Sequence, residues 1–214
     1  IFNDKSKIGY LIMLACNIAG LAYSNIDPKL SKDRKNSILK TLHPSATFDL
    51  FNPSFRKEID EVAQSNNDIK IHLDEFKKLV DSIESETICY IMFTSGSTGK
   101  PKFIQISKSS LLSFIRWLKK DHPFSPKSIF MNQASFSFDL SAYNIYATFA
   151  LGGSIVLIDE TTYSKTEVFY KRLSNYMVNT WISTPSFAYL FITDKEFCHN
   201  NLQNLQTFIF IGEF

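Results

Sequence analysis

Short apolar runs alternate with amphipathic stretches along most of this chain. The run Ile88-Cys89-Tyr90-Ile91-Met92-Phe93 is brief, rich in β-formers and stops at turn residues, so it predicts a buried strand. Phe103-Ile104-Gln105-Ile106-Ser107 predicts a second strand just past the intervening turn. Ser107 then caps a helix running to Lys120, with Leu111, Leu112, Ile115 and Leu118 on one face. Further strands are expected over residues 128–132, 154–158, 179–183 and 207–211. Between them, helices are expected over residues 138–150, stopped by Gly152-Gly153, and over residues 166–176. Thr184-Pro185-Ser186 opens another, with proline near its first turn. Strands separated by helices need crossover connections, so the fold class is α/β, with mostly parallel sheets flanked by helices.

The first third of the chain is more helical. Residues 7–19 read as a helix ended by Gly20, and residues 21–28 as a short strand and turn. Ser31 caps a helix to Leu42, with Asp33 in the first turn where the dipole favours a negative charge. Residues 46–51 read as a strand, 55–64 as a helix, 69–73 as extended and 74–82 as a helix. The apolar stretch over residues 8–23 follows Lys5 and Lys7 and has the pattern of a signal-peptide core. It is short for a membrane span. A buried helix leading into Gly20 explains the pattern better in a chain that begins with Ile1, and no stable membrane insertion is expected.

Composition narrows the classes. The 214 residues are 44% hydrophobic, enough for a sizeable core in one or two domains. A formal net charge of +2 provides no basic stripe, so nucleic acid is not an expected partner. Cys16, Cys89 and Cys198 lie far apart without Cys/His ligand spacing, so no metal site is expected. Cys89 in a buried strand suits a reducing compartment, and a cytoplasmic location is the expectation. His43, His72, His122 and His199 are isolated and receive no role.

The chemistry concentrates in Thr94-Ser95-Gly96-Ser97-Thr98-Gly99-Lys100-Pro101-Lys102. Gly96 and Gly99 let backbone approach a ligand closely, the four hydroxyls donate hydrogen bonds, and Lys100 and Lys102 bring charge. Such a loop at the end of a strand suits phosphates. It is not a Walker loop, because Pro101 follows Lys100 and directs the chain into a strand. The same composition also describes an ordinary Gly/Ser turn. Asp139 in Phe138-Asp139-Leu140-Ser141 opens a helix among aromatic residues. It reads either as a carboxylate stabilised by the helix dipole or as a partner for a cationic ligand group.

The string from Tyr90 to Lys102 resembles the signature loop of the AMP-forming adenylating enzymes, which include acyl-CoA synthetases, luciferases and nonribosomal peptide synthetase adenylation domains. Gly20-Leu21-Ala22-Tyr23-Ser24-Asn25-Ile26-Asp27 resembles a second family motif, with Asn25 in place of the usual proline. Phe103 stands where the family usually has glycine, a change expected to shift the second strand or narrow the approach to the phosphates. Phe138-Asp139-Leu140-Ser141, Trp181-Ile182-Ser183-Thr184-Pro185-Ser186-Phe187 and Thr207-Phe208-Ile209-Phe210-Ile211-Gly212-Glu213 are similar to the D-alanine:carrier-protein ligase branch of that family.

That resemblance implies ATP-dependent activation of a small amino acid to an aminoacyl-adenylate, then transfer to the phosphopantetheine thiol of a carrier protein. It implies that Thr94, Ser95, Gly96, Ser97, Thr98 and Gly99 wrap the leaving phosphates, with Lys102 as the catalytic cation. It implies that Asp139 anchors the substrate ammonium, and that Ile211, Gly212 and Glu213 border the substrate. Ile211 is bulkier than the branch's usual residue there, which leaves substrate identity open; an ordinary core position is the alternative. The family strings that serve magnesium and ribose are not found in residues 1–214. The chain is therefore expected to be part of an N-terminal AMP-binding domain, inactive alone, with the magnesium ligand outside it. An acyl- or aryl-acid CoA ligase, or a nonfunctional remnant of the family, are the competing readings.

Overall fold

The computed structural model describes residues 1–3, 5–65, 73–95 and 101–212. The chain divides into two compact units, residues 1–112 and 113–214, with the boundary inside one helix.

The first unit carries α1 (Lys7–Ile18), α2 (Lys32–Leu42), α3 (Pro53–Ser65), α4 (Leu73–Ser82), β1 (Ile88–Ser95), β2 (Pro101–Ser107) and the start of α5 (Lys108–Asp121). Ser6 caps α1 by accepting from the Gly9 N–H at 3.3 Å, and Gly20 follows its end at positive φ. The apolar segment read as a possible signal core is thus α1, with Ile8 and Met13 buried. Among the described residues no helix is long and apolar enough to cross a membrane. Ser31 caps α2 as expected, with Asp33 in its first turn.

β1 and β2 form an antiparallel hairpin. Their register runs from Tyr90 opposite Ile106 to Ser95 opposite Pro101, with Cys89 as an extra residue at the far end. The Cys89 carbonyl is put to use by accepting from the Asn17 side chain at 2.8 Å and from the Tyr23 N–H at 3.2 Å. Tyr23 lies beside β1 through a parallel bridge to Tyr90, their rings 5.8 Å apart and stacked. Lys108 donates to the carbonyls of Val80 and Ile83 at 3.0 and 2.7 Å, placing a cation at the end of α4 where the dipole favours one.

Two expected strands shrink to single bridges. Residues 21–28 pair only at Tyr23 and Ile26, and residues 46–51 only at Asp49, which bridges Phe2. The cause is local: Asp27 accepts from the Lys29 N–H at 2.8 Å and Asp49 from the Phe51 N–H at 3.0 Å. Aspartates that bond the backbone two residues on make turns rather than ladders. Of the extended stretch expected over 69–73, residues 69–72 lie outside the described residues, and Leu73 begins α4.

The second unit is an α/β layer structure. It holds β3 (Ile129–Asn132), α6 (Asp139–Leu151), β4 (Ser154–Leu157), α7 (Glu160–Tyr163), α8 (Thr166–Asn175), β5 (Thr180–Ser183), α9 (Pro185–Tyr189) and β6 (Thr207–Phe210). The four strands are parallel, in the order β4-β3-β5-β6. Alternate residues of each strand point to opposite faces. Met131 and Trp181 therefore pack with Phe169, Leu173 and Phe191 on the side of α8, while Phe130 and Ile182 pack with Leu118, Leu140 and Ala147 on the side of α6. Trp181, Phe169 and Phe191 meet edge-on or stacked at 4.6–5.7 Å, a geometry that adds attraction beyond area burial.

α5 departs from its expected face: Leu111 and Leu118 are buried, whereas Leu112 is exposed. Positions seven apart share a stripe, and Leu112 lies about 100° round from Leu111. The short α7 was not expected. Asp159 caps it, accepting from the Thr162 N–H at 2.8 Å and from the hydroxyls of Thr161 and Thr162 at 2.9 and 2.6 Å.

Candidate active site

In the first unit, Thr94 and Lys102 are exposed and directly opposed on the hairpin. Directly opposed residues of an antiparallel pair share a face. Residues 90, 92 and 94 therefore face with 102, 104 and 106, and residues 91 and 93 face the other way with 103 and 105. Phe103 consequently lies on the face opposite Lys102. Its ring meets Phe93, the residue across from it, at 6.4 Å. The β1–β2 register passes through Phe103 unbroken. Ser95 ends β1, and Gly96, Ser97, Thr98, Gly99 and Lys100 lie outside the described residues.

In the second unit, the carboxyl ends of the parallel strands form the edge where α/β sheets bind ligands. Asp139, Thr184, Ile211 and Gly212 all follow strands at that edge. Asp139 is the first residue of α6 and is exposed. One of its oxygens, Oδ1, accepts from the Leu140 N–H at 2.8 Å. Phe138 ahead of it makes no side-chain cap, so the Asp139 carboxylate is the negative group at this helix start. Ser141 donates to the Phe138 carbonyl at 2.7 Å and closes the first turn.

Ile211 extends β6 by donating its N–H to the Ser183 carbonyl at 3.0 Å. Its exposure within residues 1–214 is 36%. Gly212 follows at φ +105, and a Cβ there would stand 3.8 Å from the Thr184 methyl. Thr184 caps α9, accepting from the Phe187 N–H at 3.2 Å, and so fixes the chain beside Gly212. Thr184 opens α9, as its place before Pro185 predicts, and follows β5, the neighbour of the strand that precedes Gly212. Glu213 lies outside the described residues.

Behind the α6 start, Asn132 and Asn144 are fully buried. Asn144 Nδ2 donates to Asn132 Oδ1 at 3.1 Å, and Asn132 Nδ2 donates to the Ala134 carbonyl at 3.1 Å. On another face of α6, the Tyr143 hydroxyl meets His122 Nε2 at 2.8 Å within a ring cluster that includes Trp117 and Phe124. Burial raises the Tyr143 phenol and lowers the His122 imidazole, so both are neutral near pH 7. Among the described residues no three His, Cys, Asp or Glu side chains gather to hold a metal ion.

A family profile described as AMP-binding enzyme matches residues 6–213. The chain belongs to the AMP-binding enzyme family. It is 31% identical to a D-alanine–D-alanyl carrier protein ligase of Listeria monocytogenes serotype 4a, over 100% of this chain and 43% of the relative. It is 33% identical to the ligase of that name from Bacillus cytotoxicus, over 94% of this chain and 40% of the relative. The chain thus spans about two-fifths of the length of the curated relatives it matches. Among solved structures, the Vibrio cholerae adenylation domain AlmE, in complex with glycyl-adenosine-5'-phosphate, superposes with TM-score 0.73 at 19% identity, covering 94% of this chain and 42% of that one. A red-emitting luciferase from Phrixothrix hirtus superposes with TM-score 0.72 at 17% identity, covering 99% of this chain and 56% of that one. These two likenesses establish the fold: the sheet and helices are those of the N-terminal part of adenylate-forming enzymes.

Proposed function

We propose that this chain is part of the N-terminal AMP-binding domain of a ligase that activates a small amino acid, D-alanine or one like it, and passes it to a carrier protein. The observation that carries the reading is the 31–33% identity to D-alanine–D-alanyl carrier protein ligases over 94–100% of the chain. In the reaction, a carboxylate oxygen of the amino acid attacks the α-phosphorus of ATP. The bond to the bridging oxygen breaks and pyrophosphate leaves with its electron pair. The carrier thiol sulfur then attacks the acyl carbon, AMP leaves, and the thiol proton passes to solvent.

The protein's part is positioning and electrostatics. Lys102 neutralises charge on the departing pyrophosphate, with the Thr94 hydroxyl on the same face. Ser95 and residues 96–99 carry the remaining phosphate donors in this reading. Asp139 holds the substrate ammonium and so aims the carboxylate on the same carbon at the α-phosphorus. Ile211 sets how large a side chain is accepted, and Gly212 and Glu213 line the path of substrate and nucleotide. Magnesium would be held by residues outside this chain, so the chain alone is expected to be inactive.

The test is amino-acid-dependent ATP–pyrophosphate exchange by the full-length protein, with D-alanine, L-alanine, glycine, a fatty acid and an aryl acid. Stimulation by a small amino acid is expected. Stimulation by the fatty or aryl acid alone transfers the protein to the CoA-ligase reading and makes Asp139 structural. Failure of the full-length protein to bind ATP in calorimetry marks a remnant.

A further inference from the structure

α6 is buried from Leu140 through Thr148, yet its opening residue Asp139 is exposed. A helix apolar on nearly all sides has little of its own to set its rotation about its axis, because many rotations bury similar area. Polar bonds supply what the apolar pattern leaves undetermined. Asn132, the last residue of β3, binds forward to the Ala134 carbonyl and accepts from Asn144 on α6. This side-chain bond closes a ring of chain from 132 to 144, with Asp139 inside it. Within the ring, Phe138 N–H donates to the Ser135 carbonyl at 2.9 Å and Ser141 Oγ to the Phe138 carbonyl at 2.7 Å. The Asn144 carbonyl also accepts from Thr148 Oγ1 at 2.7 Å, so the backbone at Asn144 is engaged as well. Asn144 Oδ1 is buried without a hydrogen-bond partner. Burying an amide whose oxygen has no partner costs free energy, and its Nδ2 bond to Asn132 is the interaction that offsets the cost.

We propose that the Asn132–Asn144 amide pair is a positioning device that sets the axial rotation and entry of α6, and so aims the Asp139 carboxylate. The substrate part of this inference rests on the function proposed above; the conformational part does not.

The test uses the full-length protein with Asn144→Leu, which keeps the shape and removes the donor. Asn144→Ala carries the same test if the Leu variant does not fold. Hydrogen–deuterium exchange is expected to speed up in residues 133–141 while residues 166–183 stay protected. In kinetics, KM for the amino acid is expected to rise about tenfold, with KM for ATP within about twofold. Asn144→Asp is expected to recover most of the loss, because a buried carboxyl stays protonated and its O–H can donate to Asn132. A folded Leu variant with wild-type exchange in residues 133–141 overturns the device. Faster exchange there with equal rises in both KM values overturns its link to Asp139. If the wild-type protein lacks amino-acid-dependent activity, the function reading falls together with the substrate part, and the exchange data still decide the device.

Discussion

Thr94 on β1 stands directly opposite Lys102 on β2, so a hydroxyl and an ammonium leave the hairpin from the same face. Both lie one residue pair from the end of the ladder, next to residues 96–100. The aromatic pair Phe93 and Phe103 occupies the reverse face. The two-residue period of a strand thus puts the Thr94–Lys102 pair and the Phe93–Phe103 pair on opposite faces.

Lys102→Ala tests the face shared with Thr94. Lys102 is exposed, so thermal stability is expected to change by no more than about 0.5 kcal/mol. ATP–pyrophosphate exchange is expected to fall about a hundredfold, as when a charge-stabilising donor is removed. Wild-type exchange kinetics in this variant would take Lys102 out of the phosphate-binding role.

Phe103→Gly tests the face shared with Phe93. Loss of the Phe93 partner and glycine's backbone entropy together are expected to lower stability by about 2 kcal/mol in urea denaturation. ATP affinity is expected to stay within a few-fold, because the ring is on the face away from Lys102. A marked gain in ATP affinity would show that the ring obstructs the nucleotide after all.

Asp139→Asn separates charge from structure. The asparagine oxygen still accepts from Leu140 N–H, so the start of α6 should persist. Without the charge, about 1.5–3 kcal/mol of the bond to an ammonium is lost, and KM for the amino acid is expected to rise about 10- to 100-fold. Steady-state exchange with varied amino acid and fixed ATP is the measurement. An unchanged KM would leave Asp139 as a helix-start carboxylate only.

Gly212→Ala is expected to cost about 1–3 kcal/mol, since φ +105 is a conformation that side-chain-bearing residues rarely adopt. The Thr184 methyl at 3.8 Å leaves room for the new Cβ, so the cost is conformational rather than steric. Calorimetric melting of the full-length variant reads it; an unshifted melting temperature means that the backbone relaxes elsewhere.

Asp159 carries a pH dependence. Hydrogen bonding from Thr162 holds its carboxyl below the ordinary carboxylate range, against a smaller opposing effect of burial. Its folded pKa is therefore lower than its unfolded one, near 4. The stability it contributes is present above the unfolded pKa and is lost as pH falls through the folded one. Asp159→Ala is expected to destabilise by about 1 kcal/mol at pH 7 and by progressively less below about pH 4. A difference between wild type and variant that stays constant down to pH 2 would contradict this.

Elements with strong local signals were legible from the chain. β1 was announced by a β-forming run that stops at turn residues, and α6 ends at Gly152 at positive φ. α9 opens with Thr184 and proline as its cap and first position require. The strand reading of residues 46–51 failed because Asp49 binds its own backbone, a competition that β-propensity does not weigh. Leu112 was put on the wrong face of α5 because a run of apolar residues blurs the helical stripe.

By itself, the amino-acid order determined most of the elements, the mostly parallel α/β class and the family, since these depend on local periodicity, turn chemistry and motif spacing. Only the folded chain decided that Phe103 meets Phe93 and not the face of Lys102. It alone brought Asn144 back to Asn132 across twelve residues. Such pairings arise from ladder register and from the rotation of a helix against a sheet. Both are settled by packing between segments distant in sequence, where neighbouring residues carry no record of the outcome.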